Sequence, residues 1–249
     1  MDLIDRERFG AGSLPIWVRN EHQARWRFAS RYASGKVVAD CACGVGLGSA
    51  MFAASGAKRV YAFDLSDEAV AKAKAVCLPY SSVSVARADG RDLPLPSASI
   101  DLFVSFETIE HIKDDGGFLK EVARVLTPGG NFLCSTPNRS VTMPGKLITA
   151  LPWNPFHVRE YNKDELTKLL LDHFKCVKLF GQNPCDQIRV RTLEVLGRLL
   201  PGNAGGRINS ALKLPRFVYD KESHHHVMDL PDRGTCEYLI AMCSSPILL

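Results

Sequence analysis

The chain of 249 residues is 46% hydrophobic and 23% charged, an ordinary balance for a globular domain with a substantial core. Its net charge of +4 is too small to imply nucleic acid by itself, and no apolar run reaches the roughly 18 residues a membrane span needs. The opening MDLIDRERFG is charged and lacks an apolar signal core, so a cytoplasmic protein is expected.

The eight cysteines are scattered, and Cys41, Cys43 and Cys134 fall on or beside expected buried strands. They read as reduced, small apolar residues. Cys41 and Cys43 form C-x-C with no second ligand pair at zinc-finger spacing, and no metal site is assigned.

In chain order, residues 15–34 predict a helix. Val37, Val38 and Ala39 then form an apolar run typical of a strand buried on both faces. Gly44, Gly46 and Gly48 follow, and a helix starts at Gly48. Such a turn lets backbone approach a ligand and offers it the N–H groups of a helix end. The second strand is Arg59–Asp64. Its following helix has Ser66 as N-cap, with Asp67 and Glu68 in the first turn where the helix dipole favours them. Further strands are Ser82–Ala88 and Ile100–Phe106. The helix GGFLKEVARVL ends at TPGG, before the strand NFLCSTP. KDELTKLLLDHF is a helix, CVKLFG a strand, and Cys236–Cys243 the last strand.

Strands alternating with helices predict a mostly parallel, doubly wound α/β sheet, whose ligands bind beyond the carboxyl ends of the strands. Two of those ends carry acids. Asp64 stands 20 residues after Gly44 and suits ribose hydroxyls; Asp89 suits an adenine amino group. The ligand therefore contains a nucleoside. A nicotinamide dinucleotide fits poorly, because G-x-G-x-x-G needs Gly or Ala at position 49 and Ser49 is there.

The pattern is instead D-x-x-C-G-x-G-x-G, Asp40 to Gly48. Here the chain resembles the class I S-adenosylmethionine-dependent methyltransferases. The likeness continues through FDLS, ARADGRDLPLPSASIDLFVSFETIEHI and LKEVARVLTPGGNFLCSTPN, covering residues 36–138. It implies a Rossmann-like, seven-stranded sheet with an antiparallel last strand, and S-adenosyl-L-methionine as cofactor. It also implies a cofactor set. Gly44, Gly46 and Gly48 would wrap the methionine, beside Asp40 and Ala42. Asp64 and Leu65 would meet the ribose, and Asp89 and Gly90 the adenine. Phe106 and Glu107 would border cofactor and substrate. Glycine is more common in the family at position 42; alanine fits if that backbone keeps a negative φ. A narrower resemblance, in STPN, NPFHVREYNKDEL and FKCVKLFGQ, is to methyltransferases of bacterial glycan and natural-product pathways.

The chain is expected to be one methyltransferase domain. Residues 1–34 are a helical arm, 35–181 the cofactor-binding core, 182–235 an inserted substrate cap and 236–249 the last strand. Residues 138–162, leaving the fifth strand, should also reach the ligand end. Between 187 and 221, seven basic residues (Arg189, Arg191, Arg198, Arg207, Lys213, Arg216, Lys221) stand against Glu194 and Asp220. An anionic substrate is one reading of this excess, a solvated surface the other. No aromatic interleaving suggests a base-stacking platform. His224–His226 cannot all point one way in an extended chain, so a loop with at most one functional imidazole is expected.

The expected reaction is methyl transfer to a hydroxyl of a sugar, glycan or other small metabolite. The hydroxyl proton needs a base. Glu107, Glu110 and His111 follow the fourth strand, and His157 lies on the segment leaving the fifth. Of these, His111, His157 and Glu107 are the catalytic candidates; His157 could instead only pin its loop. If FETIEHI is helical, Glu107 shares a face with Glu110 or His111. A non-catalytic cofactor-binding subunit and an N-methyltransferase on a small amine remain the alternatives. The sequence leaves the oligomeric state open.

Overall fold

The computed structural model describes residues 16–152, 154–185, 195, 226–230 and 235–247. The elements are α1 (Ile16–Ser30), β1 (Val37–Cys41), α2 (Leu47–Ala54), β2 (Arg59–Asp64), α3 (Asp67–Cys77) and β3 (Val83–Arg87). They continue with β4 (Ile100–Phe106), a 3₁₀ turn (Ile109–His111), α4 (Asp115–Val125), β5 (Leu126–Pro137), α5 (Arg139–Thr142) and α6 (Lys163–Leu171). The described chain closes with β6 (Phe174–Cys185), β7 (Met228–Asp229) and β8 (Thr235–Pro246).

The strands form one sheet in the order β3-β2-β1-β4-β5-β8-β6-β7. β1 lies parallel between β2 and β4, so the chain reverses its direction of growth beside β1. That is the switch point where open α/β sheets leave a crevice. β8 runs antiparallel to both β5 and β6, as expected for the last strand. The seven expected strands are joined by an eighth, β7, which among the described residues pairs through Phe180–Asp229 and Gly181–Met228.

Side-chain alternation along the strands splits the core into two layers. Val38, Leu102, Val104 and Leu133 point to one face, with Trp26, Phe28 and Ala29 of α1 and Phe52 of α2. Ala39, Phe103, Phe132 and Cys134 point to the other, with Phe118, Leu119 and Val122 of α4 and Leu166 and Leu170 of α6. Ser66 caps α3 through its hydroxyl and the Ala69 N–H, as its sequence position predicts.

The TPGG stretch stops α4 one residue early, at Val125, but it lies within β5 rather than before it. Ile100 pairs with Leu126 and Leu102 with Asn131, so the Pro-Gly-Gly residues bulge out of the ladder. The eight cysteines are all free thiols, and seven are buried. Desolvation raises the pKa of the Cys41, Cys43, Cys134 and Cys243 thiols, in keeping with their reading as inert packing groups.

A polar latch ties α1 across the ligand end of β6 and β8. Arg25 Nη1 donates to Gln182 Oε1 at 2.7 Å, and Gln182 Nε2 donates to the Glu21 carbonyl at 3.0 Å. Asn183 Nδ2 reaches Glu21 Oε1 at 2.7 Å and Glu237 Oε2 at 3.1 Å. The Arg25 guanidinium also stands 4.8 Å over the Tyr238 ring. Burial, and then the Glu237 charge, push the Glu21 carboxyl up to about 7. The folded chain thus holds this proton more tightly than the unfolded chain does. The resulting stabilisation is full below about pH 4.5 and is lost as pH rises to about 7. Glu21→Gln keeps the shape and removes the titration. Its stability relative to the parent should therefore rise between pH 5 and 8, by on the order of 2 kcal/mol. Urea unfolding at several pH values measures this; parallel curves would show that Glu21 does not titrate in that window.

Candidate active site

A cavity of about 700 Å³ opens beyond the carboxyl ends of β1, β2 and β4. Its wall takes Asp40 through Val45 from the first turn, Asp64 and Leu65 from the second, and Ala88 through Arg91 from the third. Phe106, Glu107, Thr108 and His111 line the β4 side, and Phe156 arrives from the segment leaving β5. His22 and Trp26 of α1 complete the wall. Sequence reasoning assigned the arm to the ligand end but singled out neither of them.

The turn after β1 is held by the end of β2. Cys43 N donates to the Phe63 carbonyl at 2.9 Å, and Gly44 N to Asp64 Oδ2 at 3.0 Å. Ser66 N donates to Asp64 Oδ1 at 2.9 Å. Backbone groups thus aim the Asp64 carboxylate, and each oxygen keeps lone-pair capacity for a ligand hydroxyl.

The three glycines divide their work. Gly44 lines the cavity; Gly46 and Gly48 do not. Gly46 caps α2 at φ 83°, and a Cβ there would lie 2.9 Å from the Ala73 Cβ of α3. A Cβ on Gly48 would lie 2.7 Å from Trp26 Nε1. These two glycines allow helices to pack closely, and of the three expected to wrap the methionine Gly44 is the one on the cavity wall. Ala42 also departs from expectation. It lines the cavity at φ 59°, in the left-handed region, where a Cβ costs roughly 1–2 kcal/mol. The negative φ that would suit alanine is absent.

Ser49, the residue that argued against a dinucleotide, is fully buried and donates to Asp40 Oδ2 at 2.5 Å. Burial, and more weakly the Asp64 charge, raise the Asp40 carboxyl to about 6, while the Ser49 bond opposes the rise. Asp89 lies in the third turn with its carboxylate clasped by Arg91, at 2.6 Å from Nη2 and 3.0 Å from Nε. That hydrogen bonding holds the Asp89 carboxyl below its ordinary value. An adenine amino group would share this acceptor with Arg91. At Gly90 a Cβ would come within 2.9 Å of Cys41 Sγ, so no larger residue fits between β1 and α4. Leu65 is exposed at the rim.

The β4 end departs from the helical face expected of FETIEHI. Glu107 takes φ 52° and precedes the 3₁₀ turn, so it shares no helical face with Glu110 or His111. Its carboxylate accepts from Ser135 Oγ at 2.6 Å and lies 4.0 Å from Arg25 Nη1. Glu110 turns inward and is fully buried, while His111 faces the cavity.

The Glu110 carbonyl accepts from Val158 N at 2.7 Å, which draws the segment after β5 back against this turn. Phe156 O stands 3.0 Å from His111 Nδ1, and the His111 and His157 rings meet edge to face at 4.8 Å. Both His157 nitrogens are engaged, Nδ1 with Glu160 Oε1 at 2.6 Å and Nε2 with Asn154 Nδ2 at 2.8 Å. His157 does not line the cavity. The structure thus joins the two histidines but puts only His111 on the cavity wall. Most of residues 182–235, including the basic residues from Arg189 to Lys221, lie outside the described residues. So do His224 and His225; His226 is exposed.

The donor set fits S-adenosylmethionine. Asp64 offers aimed acceptors for a ribose, Gly44 offers close backbone, and the acid Asp40 sits by the first turn, where the cofactor's ammonium group would need a carboxylate. Residues 39–134 match the family model described as a methyltransferase domain. A Mycolicibacterium smegmatis protein, named a probable S-adenosylmethionine-dependent methyltransferase, is 42% identical over 161 residues, 65% of this chain and 60% of that protein. A Mycobacterium tuberculosis protein named likewise is 41% identical over 156 residues, 63% of this chain and 54% of its own length. The chain therefore spans less than two thirds of these curated relatives. A Thermotoga maritima structure, titled a possible histamine N-methyltransferase, superposes with a TM-score of 0.59 at 14% identity, covering 92% of each chain, and shows the shared fold. Over residues 39–134 the chain is thus similar to a methyltransferase domain, and its relatives there are named as S-adenosylmethionine-dependent methyltransferases.

Proposed function

We propose that the chain transfers a methyl group from S-adenosylmethionine to a hydroxyl of a sugar, glycan or other small biosynthetic metabolite. One observation carries this reading. A single cavity runs from the nucleoside-type acceptors Asp64 and Asp89, past the Gly44 turn, to the His111 ring. The domain match and the names of the mycobacterial relatives support methyl transfer from S-adenosylmethionine.

When bound, the cofactor supplies a methyl already activated on a sulfonium. The protein's task is alignment, exclusion of water and removal of the acceptor's proton. Asp64 holds the ribose and Asp40 faces the cationic end. Phe106 and Trp26 supply apolar wall between the two ends of the cavity. The acceptor hydroxyl lies toward Thr108 and His111, where the proton is lost. In this reading Glu107 shapes the corner through Ser135 rather than taking the proton, and His157 acts through His111. An acceptor hydroxyl suits a corner where the His111 imidazole stands on the cavity wall to take its proton.

Asp64→Asn should weaken both S-adenosylmethionine and S-adenosylhomocysteine, because a charge-assisted bond worth about 1.5–3 kcal/mol is lost. Calorimetry reads this, and equal affinities in parent and variant would remove the ribose assignment. His111→Gln should lower turnover roughly 10²–10⁴-fold while S-adenosylhomocysteine affinity stays within a few-fold. Transfer of labelled methyl to a panel of sugars and small hydroxylated metabolites measures the first quantity. Retained turnover would move acceptor activation away from this corner.

A further inference from the structure

We propose that Glu110, His111 and His157 form a divalent-cation site at the acceptor end of the cavity. One donor atom from each lies within 4.8 Å of the others. Sequence separation hides this trio. It arises because the Glu110 carbonyl pulls Val158 and its neighbours onto the 3₁₀ turn.

Two independent observations point to a cation. First, Glu110 is fully buried, and its carboxylate oxygens make no well-formed hydrogen bond, only weaker interactions with Thr136 and its own backbone. A buried carboxyl group so weakly partnered is costly, and a cation in the trio would compensate it through one of its oxygens.

Second, both imidazoles are oriented as metal ligands are. A carbonyl can only accept, so His111 Nδ1 carries a proton toward Phe156 O. His157 Nδ1 likewise faces the buried Glu160 carboxylate. In each ring, Nε2 is then the basic nitrogen. Histidine ligands commonly have their other nitrogen fixed by a carbonyl or carboxylate in this way. The Asn154 amide now donates to His157 Nε2 and would turn aside when the ion enters.

Two nitrogens and one carboxylate suit zinc, manganese, cobalt or ferrous iron rather than calcium. Three protein ligands leave a position open, and His111 faces the cavity, so that position faces the acceptor. The ion's role there rests on the methyl-transfer reading: it would polarise the acceptor hydroxyl and ease loss of its proton. The ion site itself does not depend on that reading.

The test uses the whole chain, stripped with chelator and titrated with Co²⁺ alone, without cofactor or acceptor. The expected result is one ion per chain with visible d–d absorption and no thiolate charge-transfer band. Cys176→Ser and replacement of His224–His226 by Gln should leave that spectrum unchanged. Glu110→Gln and His157→Gln should abolish it. Glu160→Gln, which only orients a ligand, should weaken binding about 10–100-fold. No cobalt band, a thiolate band, or parent-like binding in Glu110→Gln would each overturn the site. Because no turnover is read, loss of the methyl-transfer assignment leaves this result standing, and the reverse holds too.

Discussion

The site depends on a short lashing between two parallel strands. Cys43 N and Gly44 N, just past β1, bond to the carbonyl of Phe63 and the carboxylate of Asp64 at the end of β2. Parallel register brings those ends level, since Cys41 pairs with Phe63. The same carboxylate then starts the next turn through Ser66 N. One acid therefore sets the position of the glycine turn, the exit toward α3 and the acceptor it offers a ligand. Ser49 and Asp40, both buried, fasten the turn through their hydrogen bond.

The fold was legible in the chain because it is written locally. Continuous apolar runs such as Val37–Ala39 mark strands buried on both faces, and Ser66 marks a helix start. Asp64 and Asp89 could be placed because a strand's carboxyl end is a position on a pattern. What escaped reading was conformational or non-local. The left-handed backbone at Ala42 and Glu107 has no signature in residue type. Gly46 and Gly48 could not be told from Gly44, since their partners, Ala73 and Trp26, lie far along the chain. His111 and His157 could be set at neighbouring strand ends, but neither their ring contact nor the absence of His157 from the cavity wall could be read. Nor could the inward turn of Glu110, because nothing in FETIEHI distinguishes the buried acid from the half-buried one.

Much of the ligand end is built from residues distant in sequence. Glu21 and Arg25 of α1 meet Gln182, Asn183 and Glu237 from the other end of the chain. Arg25 also approaches Glu107, so the latch touches the cavity wall. Residues 154–160 return in the same manner, anchored by Asn138 pairing with Tyr161. The sheet supplies strand ends at one level. These later segments supply the side chains that make one end of the cavity chemically different from the other.

The burial pattern of the thiols carries a practical consequence. Only Cys176 is exposed among the eight cysteines. It sits near the start of β6, opposite Ser244, whereas the latch residues Gln182 and Asn183 lie near that strand's far end. A maleimide fluorophore or a surface tether would therefore attach at one defined place, on the side of the sheet edge turned away from the cavity. The chain comes with a built-in handle for immobilisation, and ligand exchange could be followed on a tethered molecule without engineering a cysteine.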